Sequence, residues 1–261
     1  MGSRWRPKLV ALDIDGTLVD FDGVLPGSVR MAVRRIIDAG VPVVMSTGRS
    51  WMATQVIVEA LELPPALHVC SNGAVVVEYP PFELVRHVTF DPAPVIDRVV
   101  EVTNAIIAVE EIGRGYRVSA AFPDGELYGH TVHESIESLR SRPVSRVIVR
   151  DPDGDDAEFL DLAQRLGLHG VSYFVGWKCW LDIAPEGVDK AAGLEVACER
   201  YGVAPEDVLA LGDGYNDIEM LRWAGRGVAL GDAPAEVLAA ADHVTGYFAD
   251  GGTAEELSRW F

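Results

Sequence analysis

Apolar positions in the first third of the chain alternate between strand and helix periodicity. Short apolar runs bounded by polar residues are typical of buried strands, whereas apolar side chains three and four residues apart predict helices. We predict Ser28 as the N-cap of the first helix and Gly40 as its stop. The predicted elements are strands at 8–12, 41–45 and 67–70 and helices at 28–39 and 51–61. Strand–helix–strand order indicates a parallel sheet with right-handed crossovers.

The last third of the chain returns to the same rhythm. Its predicted helices are 190–201, 216–224, 234–241 and 253–260, and its predicted strands are 208–211 and 227–230. The two ends of the sequence therefore favour one shared α/β layer structure.

The middle of the chain is richer in strand signals. Its predicted strands are 84–89, 116–121, 146–149, 171–175 and 177–183, and its predicted helices are 93–108 and 156–166. Proline- and glycine-containing stretches near residues 80 and 186 suggest crossing points between two bodies. We predict an α/β fold: a Rossmann-like parallel-sheet core at 1–84 and 186–261, interrupted by an inserted α+β domain at 85–185.

Composition restricts the partners of this protein. The 261 residues include 40 acidic and 22 Lys or Arg side chains, a formal net charge of −18. Such a chain repels nucleic-acid and anionic membrane surfaces, so we expect neither as a partner. Three scattered cysteines and the lack of a long apolar run favour a reducing, cytoplasmic compartment. A small anionic substrate is compatible if its site supplies local positive charge.

The most informative motif is the sequence DIDGTL directly after the first predicted strand. Asp13 lies at the carboxyl end of that strand, where open parallel sheets bind ligands, and Asp15 can reach the same space. Asp13 is suited to nucleophilic attack and Asp15 to proton transfer, while Gly16 lets backbone amides approach an anion. A turn with two solvated acids is the alternative. An EF-hand fits poorly, because its twelfth position is Val24.

Candidate anion-binding groups follow at two further places. Thr47 and Gly48 follow the second predicted strand and can hold a phosphate oxygen, and Arg49 can add bidentate charge. Lys190 begins a helix, where its charge opposes the helix dipole, and it can neutralise a carboxylate and a phosphate together. The structural alternatives are an ordinary helix cap and a solvated surface lysine.

A second acidic motif, GDGYND, follows the predicted strand at 208–211. Asp213 and Asp217 offer hard oxygen ligands of the kind that Mg2+ prefers in phosphate-binding sites. Asx turns that cap the next helix from Asn216 are the alternative.

The order DIDGT, STGR, GVDK and GDGYND resembles the haloacid-dehalogenase superfamily over essentially the whole chain. Ser71-Asn72-Gly73-Ala74 and the 187–190 segment look like its Cof-like subgroup, which has a large α/β cap. The resemblance implies a function in catalysis, phosphate binding or metal binding for the motif residues. Asp13 matches the nucleophile, Asp15 the general acid/base, Thr47 and Lys190 the phosphate-binding pair, Asn216 a phosphate contact, and Asp13, Asp15 (through its carbonyl), Asp213 and Asp217 the Mg2+ site. Gly16, Gly48 and Arg49 are further substrate-binding candidates.

The implied function is a Mg2+-dependent phosphatase for a small phosphorylated metabolite, with sugar phosphates favoured, acting as a monomer or small homo-oligomer. A phosphomutase or other phosphotransferase, and a non-catalytic phospho-ligand sensor, are the alternatives. The inserted domain is expected to set specificity. Arg114, Arg117 and Lys178 are its candidates for binding a second anionic group of the substrate. Trp177 and Trp180 are expected in the core of the inserted domain, and a stacking wall for a sugar or ring is the alternative.

Overall fold

The computed structural model describes residues 5–154, 166, 171–176 and 179–261. These form two compact units. The first comprises Met1–Gly48, Thr54–Arg86 and Asp189–Phe261, and the second comprises Arg49–Ala53 and His87–Val188. The assignment of catalysis to one part of the chain and of substrate choice to the other stays a prediction. Trp177, Lys178 and all of the predicted 156–166 helix except Leu166 lie outside the described residues.

The described part of the chain forms strands and helices at the following positions. The strands are Leu9–Leu12 (β1), Val43–Met45 (β2), Ala66–Cys70 (β3), Val75–Tyr79 (β4), Glu83–His87 (β5), Ile106–Glu111 (β6), Gly115–Val118 (β7), His130–His133 (β8), Val147–Arg150 (β9), Val171–Gly176 (β10), Trp180–Pro185 (β11), Val208–Gly212 (β12), Arg226–Ala229 (β13) and His243–Val244 (β14). The α-helices are Gly27–Asp38 (α1), Trp51–Ala60 (α2), Ala93–Val102 (α3), Ile136–Leu139 (α4), Lys190–Tyr201 (α5), Ile218–Trp223 (α6), Ala235–Ala240 (α7) and Gly252–Ser258 (α8).

A parallel sheet of five strands, in the order β14-β13-β12-β1-β2, is the centre of the first unit. Alternate residues of β1 enter different cores: Val10 and Leu12 pack with residues of α1, and Leu9 and Ala11 pack with residues of α5. Because both faces are covered, β1 is apolar at every position, as expected of a buried parallel strand. Because β1 and β12 are parallel neighbours, their carboxyl ends lie together at one edge of the sheet.

β3 departs from the predicted topology. It pairs antiparallel with β4 in a separate sheet of order β3-β4-β5, and it reaches the parallel sheet through one bridge, between Ser46 and Val69. The sequence prediction placed no strand at 75–79, so it left out the antiparallel partner of β3. The bridge nevertheless brings the end of β3 beside the end of β2.

A six-stranded sheet of order β10-β11-β9-β6-β7-β8 forms the second unit, antiparallel except for the β7–β8 pair. The predicted 93–108 helix is wrong in its second half, because α3 ends at Val102 and β6 begins at Ile106. In β6, Ile107 and Val109 share a core with α3, whereas Ala108 lies in a different cluster. This alternation is a strand pattern that the apolar helix next to it obscured.

Two predicted helix starts also differ from the structure. Ser28 is not the N-cap of α1, because the helix begins one residue earlier, after Pro26. The predicted 216–224 helix begins as a 3-10 turn, Tyr215–Asp217, before α6. No helix in the described ranges has the length and apolar character needed to cross a membrane.

Candidate active site

Asp13 leaves the parallel sheet at the carboxyl end of β1. Its backbone N–H still donates to Leu211 O at 3.0 Å, so the residue is held beside the end of β12. The next residues form a tight loop. Gly16 N–H donates to Val19 O at 2.8 Å, and Asp15 and Val19 form an isolated β-bridge. The Asp13 side chain is buried, whereas Asp15 is half-buried.

Lys190 is the first residue of α5 and is completely buried. The helix is capped by Asp189, whose side chain accepts a hydrogen bond from Ala192 N. Lys190 Nζ donates to Asp13 Oδ1 and to Asp217 Oδ1, both at 2.6 Å. These carboxylates offset the cost of burying an ammonium group against the helix dipole. The surface-lysine alternative is therefore wrong.

Asp217 organises the loop after β12. Its Oδ2 accepts hydrogen bonds from the backbone N–H groups of Asp213 and Gly214, at 3.0 and 2.9 Å. Asp213 Oδ1 accepts a hydrogen bond from Thr17 Oγ1 at 2.9 Å, which links this loop to the one that follows β1. The two acidic motifs, some 200 residues apart, thus form one hydrogen-bonded cluster.

Burial dominates the electrostatics of this cluster. It raises the pKa of Asp13 well above the usual value, although Lys190 opposes the shift, and neighbouring carboxylates add to it. Burial and the charge of Asp217 raise the pKa of Asp213 to about 7. Burial alone lowers the pKa of Lys190, but Asp13 and Asp217 outweigh it and hold that pKa above its ordinary value. The carboxylates of this cluster repel one another, so a bound cation would stabilise their ionised forms.

The acidic residues can supply such a cation site. Carboxylate oxygens of Asp13, Asp213 and Asp217 lie within 4.8 Å of one another. Lys190 and backbone amides already bind the Asp217 oxygens, whereas Asp13 Oδ2 and Asp213 Oδ2 receive no hydrogen bond from the described residues. An all-oxygen donor set in which Asp13 and Asp213 have raised pKa values fits a hard divalent cation such as Mg2+.

Neutral hydrogen-bonding groups lie beside the acids in the same unit. Thr47 is buried, with its N–H donating to Val69 O at 3.0 Å. Asn216 Nδ2 donates to Asn72 Oδ1 at 2.9 Å. A Cβ atom on Gly48 would lie only 3.1 Å from Asn72 Oδ1, so glycine leaves room for this amide pair.

The first unit contains all but one of the motif residues that the sequence predicted as site residues. Arg49 is the exception among them, because the 49–53 segment belongs to the second unit. Within that unit Arg117 is buried and paired with Glu111 and Glu134, so it is committed to structural ion pairs. Trp180 Nε1 donates to Asp182 Oδ1 at 3.0 Å.

Sequence reasoning gave no function to Thr17 or Asn72. Thr17 is the threonine of the DIDGT motif. Its place shortly after Asp13 and Asp15 was the available signal that it lies near the acidic site. Asn72 is followed by glycine directly after a buried strand, a pattern typical of a tight turn. Its side-chain partner, Asn216, lies 144 positions away, so no local pattern could reveal the pair.

Gly16→Ala is expected to damage the acidic cluster. Gly16 has φ +77°, and a Cβ atom there would lie 2.2 Å from Asp213 Oδ2. Gly23→Ala is the matched control, since Gly23 has φ +79° and a Cβ atom there would meet no other atom within 4 Å. Both variants should lose about 1 kcal/mol of unfolding free energy for the left-handed backbone, and only Gly16→Ala should also weaken Mg2+ binding. Calorimetric Mg2+ titration distinguishes them; equal Mg2+ affinity in the two variants contradicts this contact.

Known proteins resemble this chain along nearly its whole length. The family model described as haloacid dehalogenase-like hydrolase matches residues 10–257. A phosphoglycolate phosphatase of Natronomonas pharaonis is 32% identical over 93% of this chain and 93% of its own length. A 5-amino-6-(5-phospho-D-ribitylamino)uracil phosphatase of Bacillus subtilis is 27% identical over 98% of each chain.

A solved structure shows the same fold. A phosphatase of the haloalkanoate enzyme superfamily from Bacteroides thetaiotaomicron is 27% identical, with a TM-score of 0.79, covering 99% of this chain and 96% of its own. The predicted α/β class, with its parallel-sheet core and inserted domain, is confirmed by such neighbours.

Proposed function

Because the chain belongs to the haloacid dehalogenase-like hydrolases and is an enzyme of that phosphatase family, we propose that it is a Mg2+-dependent phosphatase with Asp13 as its nucleophile. One observation carries the proposal. Asp13 lies at the carboxyl end of β1, 2.6 Å from a completely buried Lys190 and within 4.8 Å of Asp213 and Asp217. A nucleophile, a fixed cation and a divalent-cation site thus occupy one sheet edge, where α/β proteins bind ligands.

Asp13, the Asp15 carbonyl and Asp213 would hold the Mg2+ ion, with Asp217 supporting Asp213 and Lys190. When bound, Mg2+ supplies positive charge that offsets the repulsion between the attacking carboxylate and the phosphate. Lys190 adds a fixed positive charge beside Asp13, where no reorganisation is required during the reaction.

The chemistry then needs two carboxylates with different tasks. An Asp13 oxygen attacks phosphorus, and the bond from phosphorus to the leaving oxygen breaks as Asp15 gives that oxygen a proton. Asp15 next takes a proton from water as the water oxygen attacks phosphorus. The bond to Asp13 breaks, inorganic phosphate is released, and both carboxyl groups return to their starting states. Thr47 and Asn216 are suited to donate hydrogen bonds to the phosphate oxygens during both steps.

The substrate is proposed to be the phosphate monoester of a small metabolite. The similar proteins act, by name, on phosphoglycolate and on a phosphorylated ribityl compound. Both are small polar monoesters, and sugar and polyol phosphates lie in the same chemical class. Transfer to an acceptor other than water is the second enzymatic candidate, and it uses the same Asp13 chemistry.

The test is phosphate release from sugar, polyol, glycolate, nucleotide and cofactor phosphates, with Mg2+ or with EDTA. We expect release with Mg2+ and a loss of at least about a hundredfold with EDTA, because the carboxylates then repel the substrate. Release that persists in EDTA contradicts the metal requirement. A silent panel with retained phosphate binding supports another acceptor or a phospho-ligand sensor instead.

A further inference from the structure

The turn Ser71–Gly73, which follows β3, has an unusual backbone. Ser71 and Asn72 have φ values of +49° and +52°, in the left-handed region that residues with a side chain rarely adopt. Gly73, at φ +98°, continues the positive run. All three residues are buried, so the surrounding structure must hold this unfavourable conformation in place.

Three contacts of this turn lead to segments of the candidate active site. Asn72 N–H donates to Thr47 O at 3.1 Å, and Asn72 Oδ1 accepts from Asn216 Nδ2 at 2.9 Å. A Cβ atom on Gly73 would lie 1.9 Å from the carbonyl oxygen of Asp189, the residue before Lys190. One three-residue turn therefore touches the segments that carry Thr47, Asn216 and Lys190.

The side-chain contact has a direct consequence for anion binding. An asparagine amide has a donor end and an acceptor end, and only the donor end favours a phosphate oxygen. The hydrogen bond to Asn72 fixes the orientation of the Asn216 amide and uses one N–H of Nδ2. Within the described part of the chain no group accepts the second N–H, which remains available to an anion. In a site with several carboxylates and one buried ammonium, a reversed amide would add another repulsive oxygen.

We propose that Asn72 is a positioning residue, which orients the Asn216 amide so that its free N–H meets the substrate phosphate. This inference rests on the proposed function, since it assumes that a phosphate binds beside Asn216. Asn72 acts through Asn216 and does not itself contact the reacting atoms. Its left-handed backbone is what aims the amide at Asn216 while its N–H keeps the Thr47 hydrogen bond.

The variants separate the side chain from the backbone. Asn72→Gly removes the amide and suits the left-handed conformation, whereas Asn72→Ala removes the same amide and disfavours that conformation. We expect both variants to raise the inhibition constant of inorganic phosphate roughly tenfold. Asn72→Ala should have a lower melting temperature than Asn72→Gly. Asn104→Ala, a change of the same kind at an exposed loop position, should alter neither quantity.

A double-mutant cycle with Asn216→Ala tests the route of the effect. If Asn72 acts through Asn216, Asn72→Gly should add no further loss to Asn216→Ala in phosphate inhibition or in kcat/KM. Multiplying effects in the double variant overturn the proposal, as does a changed melting temperature with unchanged phosphate inhibition. If the wild-type protein with Mg2+ neither hydrolyses the panel nor binds inorganic phosphate by calorimetry, the proposed function itself fails.

Discussion

Replacing Asp13 with asparagine is expected to lower kcat by about a thousandfold or more, because an amide cannot attack phosphorus to form an acyl phosphate. The fold should survive. Burial already raises the pKa of Asp13 and disfavours its charged form, and Lys190 keeps its pair with Asp217, so a neutral side chain of the same shape is tolerated. Steady-state phosphate release and a thermal melt measure the two expectations together.

The matched control is Asp38→Asn, at a surface position where Asp38 pairs with Arg34 and is largely exposed. It should leave kcat unchanged, since exposed pairs contribute little. An Asp13→Asn protein that keeps more than about a tenth of wild-type kcat contradicts a nucleophilic Asp13. Loss of folding in that variant alone contradicts the burial argument.

Replacing Lys190 with methionine is expected to damage both stability and activity. Methionine keeps most of the side-chain volume but leaves Asp13 and Asp217 buried without their shared cation. Breaking such a buried pair costs about 3–5 kcal/mol of unfolding free energy. Phosphate hydrolysis should fall by at least about a hundredfold, because the fixed positive charge beside the nucleophile is lost.

The cost of Lys190→Met should depend on pH in a defined direction. The positive charge of Lys190 lowers the pKa of Asp13. Without Lys190 the folded-state pKa of Asp13 therefore rises further above its unfolded value. The folded state then binds more protons than the unfolded state above the unfolded pKa of about 4. Wild-type Asp13 already has a raised pKa, so stability of the variant relative to wild type should fall as pH rises from the wild-type pKa of Asp13 to its higher pKa in the variant. Urea unfolding at several pH values measures this.

Lys8→Met provides the comparison for burial. Lys8 forms an ion pair with Asp207 at the same 2.6 Å, but its side chain is 66% exposed. Its loss should cost less than about 1 kcal/mol and leave hydrolysis unchanged. Equal costs for Lys8→Met and Lys190→Met contradict a structural function for the buried lysine.

The sequence predicted the position of the chemistry better than the details of the fold. Asp13 and Asp213 each follow a short apolar run, and carboxyl ends of neighbouring parallel strands lie together, so their proximity could be expected. The helix from Lys190 to Tyr201 was predicted with its correct bounds, because Asp189 and Gly202 cap it with recognisable residue types. The family and fold class are confirmed, while the functions of individual site residues stay predictions.

The failures share a physical cause, which is that tertiary pairing decides what local pattern leaves ambiguous. β6 was absorbed into a predicted helix because Ala105 to Ala108 continues an apolar stretch, and its strand pairs lie on β7 and β9. Asn72 received no function because its partner is distant in sequence and its backbone conformation cannot be read from residue type.

Trapping the covalent intermediate tests the central claim most directly. In Asp15→Asn, an aryl phosphate whose leaving group needs no proton should still phosphorylate Asp13, while attack by water is slowed. Borohydride reduces an acyl phosphate to an alcohol, so peptide mass spectrometry should find homoserine at position 13 after Mg2+ and substrate are added. The same treatment with EDTA, or of the double variant that also carries Asp13→Asn, should leave position 13 unreduced. Reduction at another carboxylate, or none while phosphate is released, contradicts Asp13 as the nucleophile.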